Sequence, residues 1–436
     1  MSERKDDHTR SLPPLARRLM RLASTPSRMG AWTFIALYLA GFAISATFRT
    51  QSDFVIYRNA GACAAAGRPI YDFQDPSPFQ YAPIYAVAFV PLSLIRPRWA
   101  RFSWFLISMA MALPATILGA GRLLFGREIK LSAELIVIPV LLCVRFIHPN
   151  FDHGQINLLL LAALIWGLCF AEESKPLRAG ALLSASLLIK PIGLPVILYL
   201  LCRKRIACVI SVVCFAAAFL WLPSLYLGTR PAFGQTMDYV RSLSARTPIL
   251  HLSHDLHNKY DQSAAAVAIR LLGTGTESAG RLNQSIRAAT GFGFQVVLAI
   301  LVAVCVSRRW TTVTEQQARL SLAGLFCVVP AIQPVSWLEY YVALVVPYMA
   351  LTFFAFSTEN TNRSRVGMAR LILVACLILN FSTRLSVAPL YYGVPYLSSL
   401  VVLGTVLMLT RPFAVGIPVP APSQNLSASR AADRDV

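Results

Sequence analysis

Long continuous apolar runs, parted by short basic clusters, recur along this chain. They lie at 31–48, 81–95, 102–121, 132–147, 156–171, 179–202, 206–227, 291–306, 320–334, 337–356, 371–381 and 396–409. Roughly 20 apolar residues cross a bilayer as a helix. Only a helix or a closed barrel satisfies the backbone within lipid. The runs are continuous rather than alternating, which favours helices over a barrel. With 56% hydrophobic and 14% charged residues, a soluble enzyme, a disordered chain and a coiled coil are excluded. The expected fold class is an all-α polytopic membrane protein of about 10–13 transmembrane helices.

The net charge is +20. Its basic residues flank the apolar runs, the pattern of positive-inside topology rather than of a nucleic-acid binder. Arg4, Lys5, Arg10, Arg17, Arg18, Arg21 and Arg28 precede the first run with no apolar core of their own, so no cleaved signal peptide is expected. Residues 1–30 read as a basic cytoplasmic segment and 31–410 as the membrane domain. Residues 411–436 read as a disordered cytoplasmic tail rich in Pro, Ala and Ser. Outer loops are expected at 49–80, 148–155 and 228–290, and Arg96, Arg98 and Arg101 mark an inner turn after a span at 81–95. The 228–290 segment is too long for its charges to set its side. The nine cysteines form no CxxC pair and no disulfide framework.

Between 102 and 202 two topologies stay open. If every run crosses, 148–155 lies inside. If 102–147 nets one crossing and 179–202 is a re-entrant hairpin, 148–155 lies outside. The hairpin accounts for Lys190-Pro191 in mid-run, since a lysine at that depth must face a polar cavity.

Four polar groups need explaining. Ser52-Asp53-Phe54-Val55-Ile56-Tyr57-Arg58 opens a short amphipathic helix reaching Ala66, followed by a turn at Gly67–Asp72 and by Phe79-Gln80-Tyr81-Ala82-Pro83. Asp53, just beyond the first span, suits proton abstraction from a hydroxyl. The other reading makes Ser52 or Asp53 a helix cap. The stretch from His148 to Asn157 packs His148, Asn150, Asp152, His153, Gln155 and Asn157 between apolar runs, as a ligand-facing segment or a solvated turn. Lys190 could meet a phosphate or form an ion pair within the bundle. Last come His251, His254 and His257 with Asp255, then Gln262 and Arg270, and then Gln333, Trp337, Glu339 and Tyr340 at a span end. The histidines could ligate zinc but lack an HExxH helix. A Trp and a Glu could hold a sugar, or serve as belt and snorkelling residues.

The patterns Asp53-Phe-x-x-Tyr57, Gly67-x-Pro-x-Tyr71 and Phe79-x-Tyr81-x-Pro83 resemble the opening of GT-C glycosyltransferases of the GT87 type. Gly154-Gln155-x-Asn157 and Ile189-Lys190-Pro191 resemble later landmarks of that family. The likeness runs from about residue 31 to 350. His148-Pro-x-x-x-Asp152-His153-Gly is also similar to a lumenal loop of eukaryotic GT-C glucosyltransferases, which favours the hairpin topology. The resemblance implies a GT-C-like bundle in a bacterial plasma membrane, with its site on the extracytoplasmic side. It implies transfer of mannose or arabinofuranose from a polyprenyl-phosphate donor to a glycolipid or envelope glycan, with inversion. Asp53 would be the general base, and Arg58, Lys190 or Arg270 would face the leaving phosphate. Tyr57, Tyr81, His148, Asp152, His153, Gln155, Gln262, Trp337, Glu339 and Tyr340 would line the substrates. No metal or other cofactor is implied. Two departures stand out: Asp261-Gln262-Ser263 where the family often has Asn-Gln-Ser, and Glu339 and Tyr340 where it often has a histidine. A transporter or flippase of a lipid-linked saccharide is the alternative reading, since broken spans and a buried lysine suit it too.

Overall fold

Prolines and polar breaks, more than hydropathy, decide where each run of this chain ends. The computed structural model describes residues 28–74, 78–126, 131–245, 258–272, 280–331, 335–356 and 362–411. The described residues are almost wholly helical, without a named strand. Seven helices among them are long and apolar enough to cross a membrane, and shorter apolar helices at Asn157–Glu172, Pro176–Ile189 and Val394–Leu409 lie beside them. This is a polytopic α-helical membrane protein.

Helix α1 (Arg28–Phe48) is followed by α2 (Ser52–Ala65), whose buried residues Phe54, Tyr57, Ala60, Gly61 and Ala64 recur at helical spacing. Gly67, at φ +65, ends α2 in a left-handed cap, with Arg68 N–H donating to the Cys63 carbonyl at 2.9 Å. Two short helices, α3 (Pro83–Ala88) and α4 (Val90–Leu94), then run alongside α2. Arg58 on α2 donates to the Ser93 and Ile95 carbonyls at 3.1 and 3.2 Å.

These contacts correct the expected span at 81–95. The segment packs on α2 and stays at that end of the bundle. The basic turn after it stays there too: Arg101 donates twice to the Thr47 carbonyl, at 3.2 and 3.1 Å, and Arg98 stacks on Phe48 at 5.6 Å. These arginines cap and cover the end of α1 remote from its basic flank. They do not mark the face on which the chain begins.

The first descending pass is α5 (Pro97–Phe105), a π-turn (Leu106–Met111) and α6 (Ala112–Phe125), a continuous 29-residue rod. The wide turn sits just before Pro114, which has no N–H to give the preceding turn. Helix α7 (Ala133–His153) returns, so the runs at 102–121 and 132–147 each cross, where the hairpin topology had them net one crossing. Residues 148–153, expected in a loop, form the last turns of α7 despite Pro149. They nevertheless sit beside Asp53, as that topology requires.

Helix α8 (Asn157–Glu172) descends, α9 (Pro176–Ile189) ascends to Lys190, and a 3-10 turn (Pro191–Gly193) leads into the descending α10 (Leu194–Cys202). Both feet of this hairpin lie at the far end. Tyr199 donates to Glu172 at 2.8 Å, Arg205 donates to Ser174 at 3.1 Å, and Arg122 of α6 pairs with Glu173. The run at 179–202 is therefore a hairpin with both ends at one end of the bundle, as the hairpin topology has it.

Helix α11 (Ile206–Trp221) climbs to α12 (Ser224–Leu227) and α13 (Thr229–Ala245), which covers the first loop. Gln235 accepts from Ile70 N–H at 3.0 Å, and Tyr239 donates to the Leu188 carbonyl at 3.3 Å. Helix α14 (Ala264–Leu272) stays at this end, and α15 (Gly280–Thr312) descends. Helices α16 (Glu315–Ser321) and α17 (Ala323–Val328) rise, and a 3-10 segment (Leu338–Leu344) turns into α18 (Val345–Phe356). Helix α19 (Arg363–Leu385), longer than the expected 371–381, rises to α20 (Ala388–Tyr391), and α21 (Val394–Leu409) descends.

The Leu338–Phe356 stretch is 89% buried, against 17% for α1. An apolar helix covered on all sides is the core of the bundle. Leu37 and Ile44 of α1, Ile210 and Val213 of α11, and Leu371, Val374 and Ile378 of α19 face outward, as a lipid-facing belt should. The Gln333-Pro334 hinge and the 251–257 histidines lie outside the described residues.

Candidate active site

Gln51 begins α2 in extended backbone (φ −103°, ψ 112°) and makes no side-chain cap. Its amide turns away and donates to the Phe151 carbonyl at 3.1 Å. Neither Ser52 nor Asp53 caps the helix. Asp53 lies in the first turn, where unpaired N–H groups favour a carboxylate.

The end of α7 is brought against this turn by Gly154, in a left-handed conformation (φ 66°, ψ 39°). A Cβ there would meet Gln51 Oε1 at 2.9 Å and Phe54 Cβ at 3.0 Å, so only glycine allows the approach. Trp104 Nε1 donates to the Gly154 carbonyl at 2.7 Å and fixes the corner from α5.

Gln155 follows and is the centre of a buried polar network. Its Nε2 donates to Asp53 Oδ2 and, at 3.4 Å, to Glu339 Oε1. Its Oε1 accepts from Lys190 Nζ at 3.3 Å and from Asn157 Nδ2 at 3.4 Å. Lys190 Nζ also donates to Asn157 Oδ1 at 2.8 Å. Asn157 Nδ2 donates to Asn150 Oδ1 at 3.0 Å, and Asn150 Nδ2 donates to the Glu339 carbonyl at 3.1 Å. The amide orientations follow from the partners: carboxylates take the NH₂ of Gln155, and the ammonium takes its oxygen.

Lys190 reaches this layer because α9 stops there. A residue before proline avoids the helical region, and Lys190 is extended at φ −147°, ψ 136°. Its ammonium lies 4.4 Å from the Tyr340 ring centroid and 6.0 Å from that of Tyr81. It makes no ion pair among the described residues; its oxygen partners are amides. Tyr57 and Tyr81 share a hydrogen bond at 2.9 Å, and burial pushes both phenols above their usual range. Tyr71 donates to the Tyr81 carbonyl at 2.6 Å.

The outer rim is ionic. His148 Nδ1 meets Asp152 Oδ2 at 2.8 Å, Arg49 approaches Asp152 at 3.9 Å, and the Ser52 hydroxyl lies 3.0 Å from His153 Nδ1. Ser52 donates to Asp53 Oδ1, also at 3.0 Å.

Asp53, Gln155, Lys190, Glu339, Tyr340, Tyr57 and Tyr81 thus converge, with His148, Asp152 and His153 at the rim. Arg58 and Arg270 do not join them. Arg58 staples α2 to α4 as described. Arg270 donates to the Tyr391 and Asn258 carbonyls at 2.7 and 2.8 Å, tying α14 to α20. Gln262 likewise donates to the Lys259 and Leu390 carbonyls at 2.7 and 2.9 Å. Trp337 is half-buried and pairs in an antiparallel bridge with Asp261. The sequence reading left Asn150 and Asn157 out of its site, although Asn157 completes the Gly154-Gln155-x-Asn157 pattern. It gave no role to Ser52 beyond capping, and it missed Trp104, for which an isolated tryptophan in an apolar run offered no signal. Among the described residues, no group of three or more His, Cys, Asp or Glu side chains could hold a metal ion.

Chemically, the layer offers a half-buried carboxylate with a donor on each oxygen, a second buried carboxylate, and an ammonium linked to the first by one amide. The first can accept a proton, and the ammonium can meet an anion.

The chain is similar to several known proteins. The sequence model of glycosyltransferase family 87 matches residues 79–334. A polyprenol-phosphate-mannose-dependent alpha-(1-2)-phosphatidylinositol pentamannoside mannosyltransferase of Mycobacterium tuberculosis is 25% identical, over 85% of this chain and 82% of its own length. A phosphatidylinositol mannoside mannosyltransferase of the same dependence from that species is 24% identical, over 74% of this chain and 75% of its own. A pentamannoside enzyme of Mycolicibacterium smegmatis is 25% identical over 76% of each.

Proposed function

The chain belongs to glycosyltransferase family 87, and we propose that it moves a mannosyl residue from a polyprenyl-phosphate donor to a glycolipid, with Asp53 as general base. It is a multi-pass membrane glycosyltransferase. The activities by which its relatives are named support mannose over arabinofuranose and a phosphatidylinositol mannoside over an envelope polysaccharide. The observation that carries the reading is Asp53, set in the first turn of α2 and aimed by Gln155, one amide away from Lys190.

The acceptor hydroxyl gives its proton to Asp53 while its oxygen attacks the anomeric carbon. The bond from that carbon to the phosphate oxygen breaks on the opposite face, and polyprenyl phosphate leaves without needing a proton. Negative charge grows on the phosphate, where a preorganised cation is worth most. Lys190 fills this role, because Arg58 and Arg270 are spent on backbone carbonyls. Tyr340, Tyr81 and Glu339 line the sugar, and the rim of His148 and Asp152 meets the acceptor head. The site faces the extracytoplasmic side of a bacterial plasma membrane, with both termini in the cytoplasm.

The test is purified protein given labelled polyprenyl-phosphate mannose and phosphatidylinositol mannosides, with a parallel arm using the arabinofuranosyl donor. A mannosylated lipid of inverted anomeric configuration is expected. Asp53→Asn should lower turnover by about 10²–10⁴-fold without loss of fold, since the amide oxygen can still accept from Gln155 and its NH₂ can donate to Ser52. Transfer by the Asn variant at the native rate would overturn the assignment.

A further inference from the structure

A base that takes one proton per turnover must lose it before the next. On the inner side of Asp53, Oδ2 meets the NH₂ of Gln155, a donor with no capacity to receive. On the outer side, Oδ1 meets the Ser52 hydroxyl at 3.0 Å, and that oxygen lies 3.0 Å from His153 Nδ1. A hydroxyl can give and take a proton at once. Both Ser52 and His153 are exposed, so two links join the carboxylate to bulk water. Asp53 itself is half-buried, and this side path is a second route from it to water.

We propose that Ser52 and His153 form the proton exit of Asp53, an inference that rests on reading Asp53 as the base. After transfer the proton sits on Asp53, and the Ser52 hydroxyl points to His153 Nδ1. The proton of Asp53 Oδ1 passes to Ser52 Oγ as the hydroxyl proton of Ser52 passes to Nδ1. The imidazolium so formed releases its Nε2 proton to water, and proton exchange of the exposed ring with water returns it to the Nε2–H tautomer for the next turnover. Asp53 is again a carboxylate accepting from Ser52, and one proton has entered and one has left. An imidazole suits the terminal position because one ring nitrogen can take a proton while the other gives one up. The charged groups around it are Asp53 on α2, Asp152 and His148 on its own helix, Arg49 after α1, and Glu339 on the 3-10 segment.

The experiment compares kcat and KM of wild type, His153→Ala, Ser52→Ala, the double variant and Asp53→Asn, using polyprenyl-phosphate mannose and phosphatidylinositol mannosides, with and without added imidazole. Loss of the exit should lower kcat on the order of tenfold or more at unchanged KM. The double variant should be no worse than either single one, since both break one path. Imidazole should restore His153→Ala. A His153→Ala enzyme with native kcat, or one whose loss imidazole does not relieve, overturns the exit while an inactive Asp53→Asn leaves the base in place. An active Asp53→Asn overturns both.

Discussion

Replacing Gln155 by methionine keeps the volume and removes the amide that aims the base. Four hydrogen bonds disappear, but unequally. Those with Glu339, Lys190 and Asn157 are 3.3–3.4 Å long, outside the range of strong bonds. The bond to Asp53 is charge-assisted, worth about 1.5–3 kcal/mol. Part of that returns, because half-buried Asp53 can find water and Lys190 keeps Asn157 at 2.8 Å. The net cost to stability is about 1–2 kcal/mol, a shift of a few degrees in melting temperature. Catalysis suffers more. With only Ser52 left, the carboxylate is free to rotate, and a misplacement of about 1 Å costs on the order of 100-fold. Steady-state transfer by purified Gln155→Met should therefore show kcat down about 100-fold with donor KM within a few-fold of native, alongside a modest melting shift. A kcat within threefold of wild type would refute the aiming role. So would a variant that fails to fold, since the amide would then be holding the bundle rather than the base.

Lys190→Met should lower kcat by about 10²–10³-fold and leave donor KM nearly unchanged, measured in the same transfer assay. Gly154→Ala forces a left-handed alanine, costing about 1–2 kcal/mol, and drives a methyl group against Gln51 and Phe54; melting temperature and transfer should fall together. Arg122→Met is the contrasting case at the far end: Glu173 keeps Lys175 at 2.9 Å, so a stability loss of about 1–2 kcal/mol should come with native turnover.

Which residues would come together was legible because polar groups in apolar surroundings need a reason. Asp53, Gln155, Lys190 and Glu339 all violate the composition around them, and all four meet. The helix at 52–66 and the Gly67 turn were legible from local backbone preference. The path of 81–95 was not. An apolar segment is equally content against lipid or against Phe54, Tyr57 and Trp104, and here Phe89 packs on all three rings. Arg101 misled for a related reason, since a guanidinium bound to the Thr47 carbonyl no longer reports which side the cytoplasm is on. Arg58 and Arg270 misled likewise, because sequence shows a positive charge but not the carbonyls that claim it. The end of α7 read as a loop because Pro149 and its polar neighbours are breakers in water, whereas neighbouring helices hold this turn in shape.

The ammonium of Lys190 stands on a strut. Helix α9 has 14 residues, about 21 Å at 1.5 Å each, and its footing at Glu172, Ser174 and Arg205 sits at the far end of the bundle. Removing a single residue from this strut would swing the lysine by about 100° and draw it away from Asn157. The reach of the cation is thus set by the length of this one helix, and its residue count becomes a variable of the chemistry as well as of packing.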